Sequence, residues 1–382
     1  MNFDFDDSEK ALCDKIRTLF QESSINDGEP FQDLENLQYR NGLLQNMRFL
    51  SDTGYFDLGV ENGRNSISLA KARETLASVS PSLYLSAEMS VRIFGTLIAL
   101  YGSSEQKEAI LPALKGGSLI GAVGFTETGM SMENMAMETT GTLKEGSIIL
   151  SGCKPYVLNG PLADWFAVAG KYEAEKAGFG FFLVNKTSTG LLIGPGLPTF
   201  GFEGTAMSSI TLNDCPIQHK NRFGPFFEKE IFTKLRAWED QILTIASLGL
   251  MHRSYESALK YARGHKSGGK PIIAYQEIAF KLSEMLTLLQ TSQLLAYRAA
   301  WMDQTGDREA HMLARCAKVF CSESAQEVTN QAMQILGIYG YCSHNQVEEG
   351  YRDARYLQVA GTSSEISRMK IADGLMKPES CN

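Results

Sequence analysis

The chain has 382 residues, of which 43% are hydrophobic and 21% are charged, a composition typical of a folded globular protein with a sizeable core. Its formal net charge of -8 provides no positive field for nucleic acid, so no nucleic-acid partner is expected. The acidic N-terminal residues lack the pattern of a signal or transit peptide, and no apolar run of bilayer-spanning length is evident. We therefore expect a cytoplasmic protein without a membrane partner.

The cysteines and histidines are dispersed along the chain. The 7 cysteines are odd in number and lack the paired short spacings of disulfide frameworks or zinc sites. None of the 5 histidines is spaced from a cysteine or a glutamate as a metal ligand would be. We predict no metal site.

The hydrophobic pattern divides the chain into three regions. Residues 1–117 carry apolar side chains at three- and four-residue spacing, as at Leu12 and Ile16, which predicts a helical domain. Residues 118–224 contain short β-type runs bounded by Gly, Asn, Pro or Asp and predict a small antiparallel β domain. Residues 225–382 return to longer apolar stripes and predict a helical bundle. This α+β order leaves a cleft where the domains meet.

Five short segments carry patterns that point beyond the fold class. Each of them taken alone also suits an ordinary turn, a core strand or a basic helix end. They are GAVGFTETG at 121–129, GCKPYVLNG at 152–160, KYARGHKSGGKP at 260–271 with Gln276 after it, QILGIYGY at 334–341, and YRDARYLQVAGTSSE at 351–365.

Together the five segments resemble the motifs of the acyl-CoA dehydrogenase family. The resemblance implies an N-terminal helical domain, a middle β domain and a C-terminal helical bundle, with FAD held between the β domain and the bundle. It also implies a homo-oligomer, a tetramer or a dimer, in which a neighbouring subunit completes the cofactor site.

The resemblance assigns the flavin ring to the two segments of the β domain. Thr126, beside Phe125, matches the position whose hydroxyl holds the pyrimidine edge of the ring. Tyr156 would stack on the ring, and Leu158 stands where a threonine usually bonds the flavin N5 position. The sequence departs from the family pattern after Thr126, so the substrate contact implied for Ser131 rests on a changed turn.

The resemblance assigns the rest of the dinucleotide to two segments of the C-terminal region. The loop at 260–271 matches one whose arginine contacts the FAD pyrophosphate, although here a histidine occupies that arginine position. In the fourth segment the glutamine and the first glycine match residues that reach the dinucleotide of a neighbouring subunit. The FAD contacts predicted from these segments are Arg263, His265, Ser267, Gln276, Gln334 and Gly337.

The usual catalytic carboxylate is missing from the last segment. The family reaction removes a proton from the carbon next to a thioester, which requires a base facing the substrate. An ungapped alignment places Gly361 at the usual glutamate position, and alignment on Gly-Thr places Ala360 there. A minority of the family carries the base on another helix, and Glu239 falls on that position. Glu365 is the nearest rival, and Glu239 could otherwise be an ordinary helix-start glutamate.

The residue after this alternative base suggests a carrier-protein substrate. Asp240 stands where enzymes acting on CoA esters commonly have an arginine, which resembles the branch that oxidises acyl groups tethered to a carrier protein. We predict an FAD-dependent dehydrogenase of an amino- or hydroxyacyl thioester on an acyl or peptidyl carrier protein, with Ser131, Asp240 and Gly361 at the substrate. The alternatives are a dehydrogenase of free acyl-CoA and an inactive binding protein. The electron acceptor stays open.

Overall fold

The chain folds in the order helices, sheet, helices, which confirms the predicted α+β class. The structure is a computed structural model, and it describes residues 5–22, 37–60, 66–129, 137–173, 178–223, 230–342 and 345–376. Ser131, predicted to contact substrate, lies outside these residues. The domain boundaries at 117 and 224 stay predictions.

The first described part of the chain is helical. Side chains close two of the helix N-termini: Ser66 accepts a hydrogen bond from the Leu69 N–H, and Ser103 and Gln106 form a capping box. A π-helical turn, Glu88–Phe94, joins the fourth and fifth helices into one continuous helix. The helices are α1 (Asp7–Glu22), α2 (Leu37–Asp52), α3 (Ile67–Val79), α4 (Pro81–Ala87), α5 (Gly95–Tyr101) and α6 (Ser104–Lys115).

The continuous helix Pro81–Tyr101 is long and apolar enough to cross a membrane by length and composition alone. However, 83% of its most apolar window is buried inside the protein. Its hydrophobicity is therefore accounted for by packing in the core. The helix also contains Glu88 and Arg92, so its apolar sequence is interrupted by two charged residues.

The middle part is one sheet with strands β1 (Gly121–Gly124), β2 (Thr140–Lys144), β3 (Ser147–Leu158), β4 (Trp165–Tyr172), β5 (Gly178–Asn185), β6 (Leu191–Gly196) and β7 (Met207–Gln218). The strand order is β1-β4-β2-β3-β7-β6, with β5 also paired to β4. β1 and β2 run parallel to β4, whereas the other pairs are antiparallel. The sheet is therefore mixed, which corrects the predicted antiparallel domain.

Both parallel pairs involve the same edge of β4. β5 pairs with the whole length of β4, so β1 and β2 share the other edge of that strand. β1 occupies the part at 165–168 and β2 the part at 171–172. The described residues between β1 and β2, at 125–129 and 137–139, lie outside the strands, and this excursion includes the candidate site residues Phe125 and Thr126.

The last part is a helical bundle. Its two longest helices are joined by a hairpin whose two turn residues, Gly268 (φ 58°) and Gly269 (φ 83°), adopt the left-handed conformation that glycine tolerates. The elements are α7 (Glu230–Gly264), β8 (Lys266–Ser267), β9 (Lys270–Pro271), α8 (Gln276–Thr305), α9 (Ala310–Leu336), α10 (Ile338–Tyr341), α11 (Gln346–Val359) and α12 (Ser364–Met376).

The three parts share one hydrophobic core. Phe94 of the N-terminal helices, Phe181 of the sheet and Phe232 of α7 all belong to it. The hydroxyl of Tyr84 donates to the carbonyl oxygen of Ile242 at 2.9 Å, which ties α4 to α7. Because one core joins the parts, the cavity at their junction has fixed walls.

Candidate active site

A cavity of about 410 Å³ lies where the N-terminal helices, the sheet and the C-terminal bundle meet, within the usual size of a small-molecule site. Six predicted site residues lie in its wall, although they come from distant parts of the chain. They are Phe125, Thr126, Tyr156, Leu158, Glu239 and Gly361. The other lining residues are Met89, Ile93, Val123, Met207, Leu235, Arg236, Tyr356, Val359 and Ala360.

A buried ion pair fixes the segment that follows β1. The Lys154 ammonium on β3 contacts Glu127 Oε1 at 2.5 Å and donates to the Phe125 carbonyl oxygen at 3.2 Å. Glu127 also accepts hydrogen bonds from the N–H and the hydroxyl of Thr139, at the other end of the excursion. Phe125 and Thr126 are therefore held against β3, the strand that carries Tyr156 into the cavity.

Burial and pairing oppose each other in this ion pair. Burial lowers the pKa of Lys154 to about 8, against the attraction of Glu127. Burial raises the pKa of Glu127, but hydrogen bonds from Glu138, Lys154 and Thr139 outweigh it, and the resulting pKa is lowered. Both groups are therefore charged at neutral pH. Removing one partner would leave the other as an uncompensated buried charge.

The carboxylate of Glu239 enters the cavity from α7 and is paired with a cation. Arg236 Nη1 contacts Glu239 Oε2 at 2.6 Å, and Arg236 Nη2 donates to the Thr126 hydroxyl oxygen at 3.1 Å. The guanidinium carbon also lies 4.7 Å from the centre of the Phe125 ring. Arg236 thus connects the candidate base to the candidate flavin contacts.

Arg236 is not among the site residues predicted from the sequence. The available signal was its spacing of three residues from Glu239, which places both side chains on one face of a helix. That spacing also suits a solvent-exposed helix pair. In the structure, however, the side chains of Arg236 and Glu239 are each only 15% exposed.

Asp240 is not among the residues that line the cavity, and its predicted contact with substrate stays a prediction. Its carboxylate is buried and accepts a hydrogen bond from the Thr362 N–H at 2.7 Å. It is one position round the helix from Glu239, so its side chain points away from the cavity. Lys318, also buried, donates to the carbonyl oxygens of Leu357 and Ala360. Together Asp240 and Lys318 hold the turn that follows α11.

The buried Asp240 predicts a pH-dependent stability. Burial raises its pKa to about 6, against the effects of Lys318 and Thr362, and Glu239 raises it further. The folded protein therefore keeps this proton up to about pH 6, whereas the unfolded chain loses it near the ordinary value of 3.8. The contribution of Asp240 to stability is full below pH 4 and is lost as the pH rises through 6, by up to about 3 kcal/mol.

Urea unfolding of the wild type and Asp240→Asn at several pH values between 4 and 7 measures this contribution. Asparagine keeps an oxygen for the Thr362 N–H but does not titrate. We expect the variant to gain stability relative to the wild type as the pH rises from 4 to 6. Two curves that stay parallel over this range would contradict the raised pKa.

The wall formed by the β domain fits a flat aromatic ring. Tyr156 lines the cavity and is 60% exposed, a large open aromatic face for a strand residue. The Thr126 hydroxyl lies on the same wall, where it can donate its own proton to a ligand while accepting from Arg236. Leu158 has no hydroxyl group, so a flavin bound here would receive no hydrogen bond from this side chain at its N5 position. These residues fit an isoalloxazine ring.

The remaining predicted FAD contacts lie outside the cavity. Tyr261 stacks on His265 and on Tyr339, with ring centres 4.8 and 5.7 Å apart, which brings the end of α7 beside the start of α10. The surface so formed is exposed and basic. It stays a predicted dinucleotide contact, and its predicted residues are Arg263, His265, Ser267, Gln276, Gln334 and Gly337.

Glu365, the rival base, is not among the residues that line the cavity. It lies exposed in the first turn of α12. Hydrogen bonds from its own backbone N–H and from the Ser363 side chain lower its pKa. A carboxylate in the first turn of a helix interacts favourably with the positive end of the helix dipole.

Comparison with known proteins agrees with the fold. Residues 122–215 match the middle domain and residues 237–376 the C-terminal domain of acyl-CoA dehydrogenase. A 3-(aryl)acrylate reductase of Clostridium sporogenes is 32% identical over 305 residues, which cover 79% of this chain and 80% of that protein. Benzylmalonyl-CoA dehydrogenase of Aromatoleum aromaticum is 28% identical over 380 residues, which cover 97% and 99%.

A solved structure extends the likeness over nearly the whole chain. The prolyl acyl carrier protein oxidase AnaB has a TM-score of 0.86 and 25% identity, with 98% of this chain and 100% of that chain covered. The chain therefore belongs to the acyl-CoA dehydrogenase family of FAD-dependent oxidoreductases.

Proposed function

We propose that this protein is an FAD-dependent dehydrogenase of an acyl thioester and that Glu239 is its catalytic base. The observation that carries the proposal is that Glu239 is the only carboxylate among the described residues that line the cavity. It faces the same space as Thr126 and Tyr156. A base and a flavin contact on one cavity are what the family reaction requires.

Each residue of the cavity would have a separate role in this reaction. Glu239 takes the proton from the carbon next to the thioester. Thr126 and Tyr156 hold the edge and the face of the flavin, which when bound supplies the hydride acceptor. Apolar residues including Ile93 and Leu235 exclude water from the reacting carbon, which strengthens every charge interaction there.

We further propose that the thioester is carried on an acyl or peptidyl carrier protein. The likeness to a prolyl acyl carrier protein oxidase over nearly the whole chain supports this. The position after Glu239 is Asp240, so no arginine stands where enzymes of CoA esters commonly have one. An ammonium group on the acyl chain would meet the Arg236 cation in the cavity, so the site favours a hydroxyacyl over an aminoacyl group.

The second candidate is the same reaction on a free CoA thioester. It is favoured by the match to benzylmalonyl-CoA dehydrogenase, which extends over 97% of this chain. The proton abstraction and the cavity would be the same, because both carriers present the acyl group on a phosphopantetheine arm. The two candidates differ only in what lies outside the cavity.

We also propose that the working form is a cytoplasmic homo-oligomer. Beside Gln334 and Gly337, the short helix α10 exposes Ile338 (80%), Tyr339 (58%) and Tyr341 (72%). Neighbouring exposed apolar side chains of this kind are typical of a subunit interface. A second subunit bound here would place its cofactor against this surface. Light scattering on the purified protein tests this: a monomer at micromolar concentration would contradict it.

The test of function compares one hydroxyacyl group on a carrier protein and on CoA. Purified protein is saturated with FAD, and bleaching of the oxidised flavin is followed after mixing with each thioester. The proposal expects bleaching with both and faster bleaching with the loaded carrier protein. A preference for the CoA ester moves the function to the second candidate. Protein that binds no FAD, or flavin that neither thioester bleaches, would indicate an inactive binding protein.

A further inference from the structure

Arg236 is the only cationic side chain among the described residues that line the cavity. Two of its nitrogens contact Glu239 and Thr126, as described above. Its third nitrogen, Nε, is buried and has no hydrogen-bond partner among the described residues. The guanidinium therefore has donor capacity that the described protein does not use.

The contact between Arg236 and Glu239 opposes the proposed role of Glu239 as the catalytic base. Oε2 of Glu239 is occupied by the contact with Arg236 Nη1 at 2.6 Å, so this oxygen is not free to accept a proton from the substrate carbon. The surrounding wall is largely apolar, with Met89, Ile93 and Leu235, so the pair is poorly hydrated. A ligand that takes over the guanidinium would release Glu239 for proton transfer.

A carboxylate on the ligand can replace Glu239 as the partner of the Arg236 guanidinium. Guanidinium binds carboxylates through two parallel N–H donors, and the exchange leaves Arg236 with an anionic partner throughout. A neutral acyl group would instead have to leave the pair intact or separate it without compensation. The cavity thus offers an anionic acyl chain a cationic partner in Arg236.

We propose that Arg236 binds a carboxylate carried on the acyl group, and that this contact releases Glu239 from Arg236. The proposal rests on the proposed function and names its substrate class as acyl thioesters with a second, free carboxylate. Arg236 is then a specificity-determining residue that contacts the substrate. No covalent step is added to the reaction.

The experiment uses pantetheine thioesters, because pantetheine is the arm shared by CoA and carrier proteins. Succinyl- and glutaryl-pantetheine are compared with the analogues in which a terminal amide replaces the carboxylate. Binding is measured from the perturbation of the flavin spectrum under conditions where the flavin stays oxidised. We expect the wild type to bind the better of the two carboxylates about 10–100-fold more tightly than its amide, as for a charged hydrogen bond.

Arg236→Met should lose the preference for the carboxylate over its amide, and Arg236→Lys should keep part of that preference. Retained FAD binding by both variants shows that they are folded. The proposal is overturned if the wild type does not distinguish carboxylate from amide at either chain length, or if Arg236→Met weakens both equally. Flavin bleaching by the amides in the wild type shows separately whether the proposed function holds.

Discussion

Replacing Glu239 with glutamine is expected to slow the bleaching of bound flavin by an acyl thioester about 10²–10⁴-fold, because the proton on the substrate carbon then has no acceptor. Glutamine has nearly the same shape, and its amide oxygen can still accept the hydrogen bond from Arg236. The cavity and the flavin contacts should therefore be preserved. The measurement is the single-turnover bleaching rate, with the FAD content of the variant checked first.

Glu365→Gln is the matched control. It makes the same chemical change at a carboxylate that lies exposed at the start of α12 and does not line the cavity. Its bleaching rate should stay within about threefold of the wild type, since exposed substitutions away from a site have small effects. If Glu365→Gln lost the activity and Glu239→Gln kept it, the base would be Glu365.

The sequence predicted the cavity well where a motif carried several residues at once. Thr126 and Tyr156 come from two motifs, one around β1 and one on β3, and the structure brings both to one cavity with Glu239 of α7. Each motif is a local pattern, so it can be recognised without knowing how the strands pair. The parallel pairing of β1 with β4 has no such local pattern, because β4 begins 44 residues after β1 does.

The sequence does not show which of several neighbouring residues on a helix faces the cavity. Asp240 was assigned to the substrate because it follows Glu239, yet a step of one residue turns the side chain by about 100° round the helix. That step directs Asp240 to the Thr362 N–H. Arg236 was missed although a step of three residues nearly restores the direction of Glu239. Which face of α7 meets the cavity depends on how the domains pack, and the sequence pattern of this helix does not reveal it.

Introducing glutamate at the two candidate positions of the usual family base is expected to cost much more stability at one position than at the other. Gly361 has a φ of 63°, and a Cβ added there would lie 2.5 Å from Asp240 Oδ1 and 3.0 Å from Leu243 Cδ1. Gly361→Glu should therefore cost about 2–4 kcal/mol, from left-handed backbone strain and from displacement of the Asp240 carboxylate. Ala360 has ordinary extended backbone angles and lines the cavity, so Ala360→Glu should cost within about 1 kcal/mol.

Urea unfolding of the two variants, with Gly361→Ala as the control for the added Cβ alone, measures this difference. Gly361→Ala should account for most of the loss in Gly361→Glu, because strain and the close approach begin at that atom. Placed in the Glu239→Gln background, Ala360→Glu should restore at least about tenfold of the lost bleaching rate, since its carboxylate would enter the same cavity. Equal stability of the two glutamate variants would contradict the geometry of the turn. The turn held by Asp240 thus predicts a penalty for a carboxylate at Gly361, whereas Glu239 reaches the same cavity from α7 without such strain.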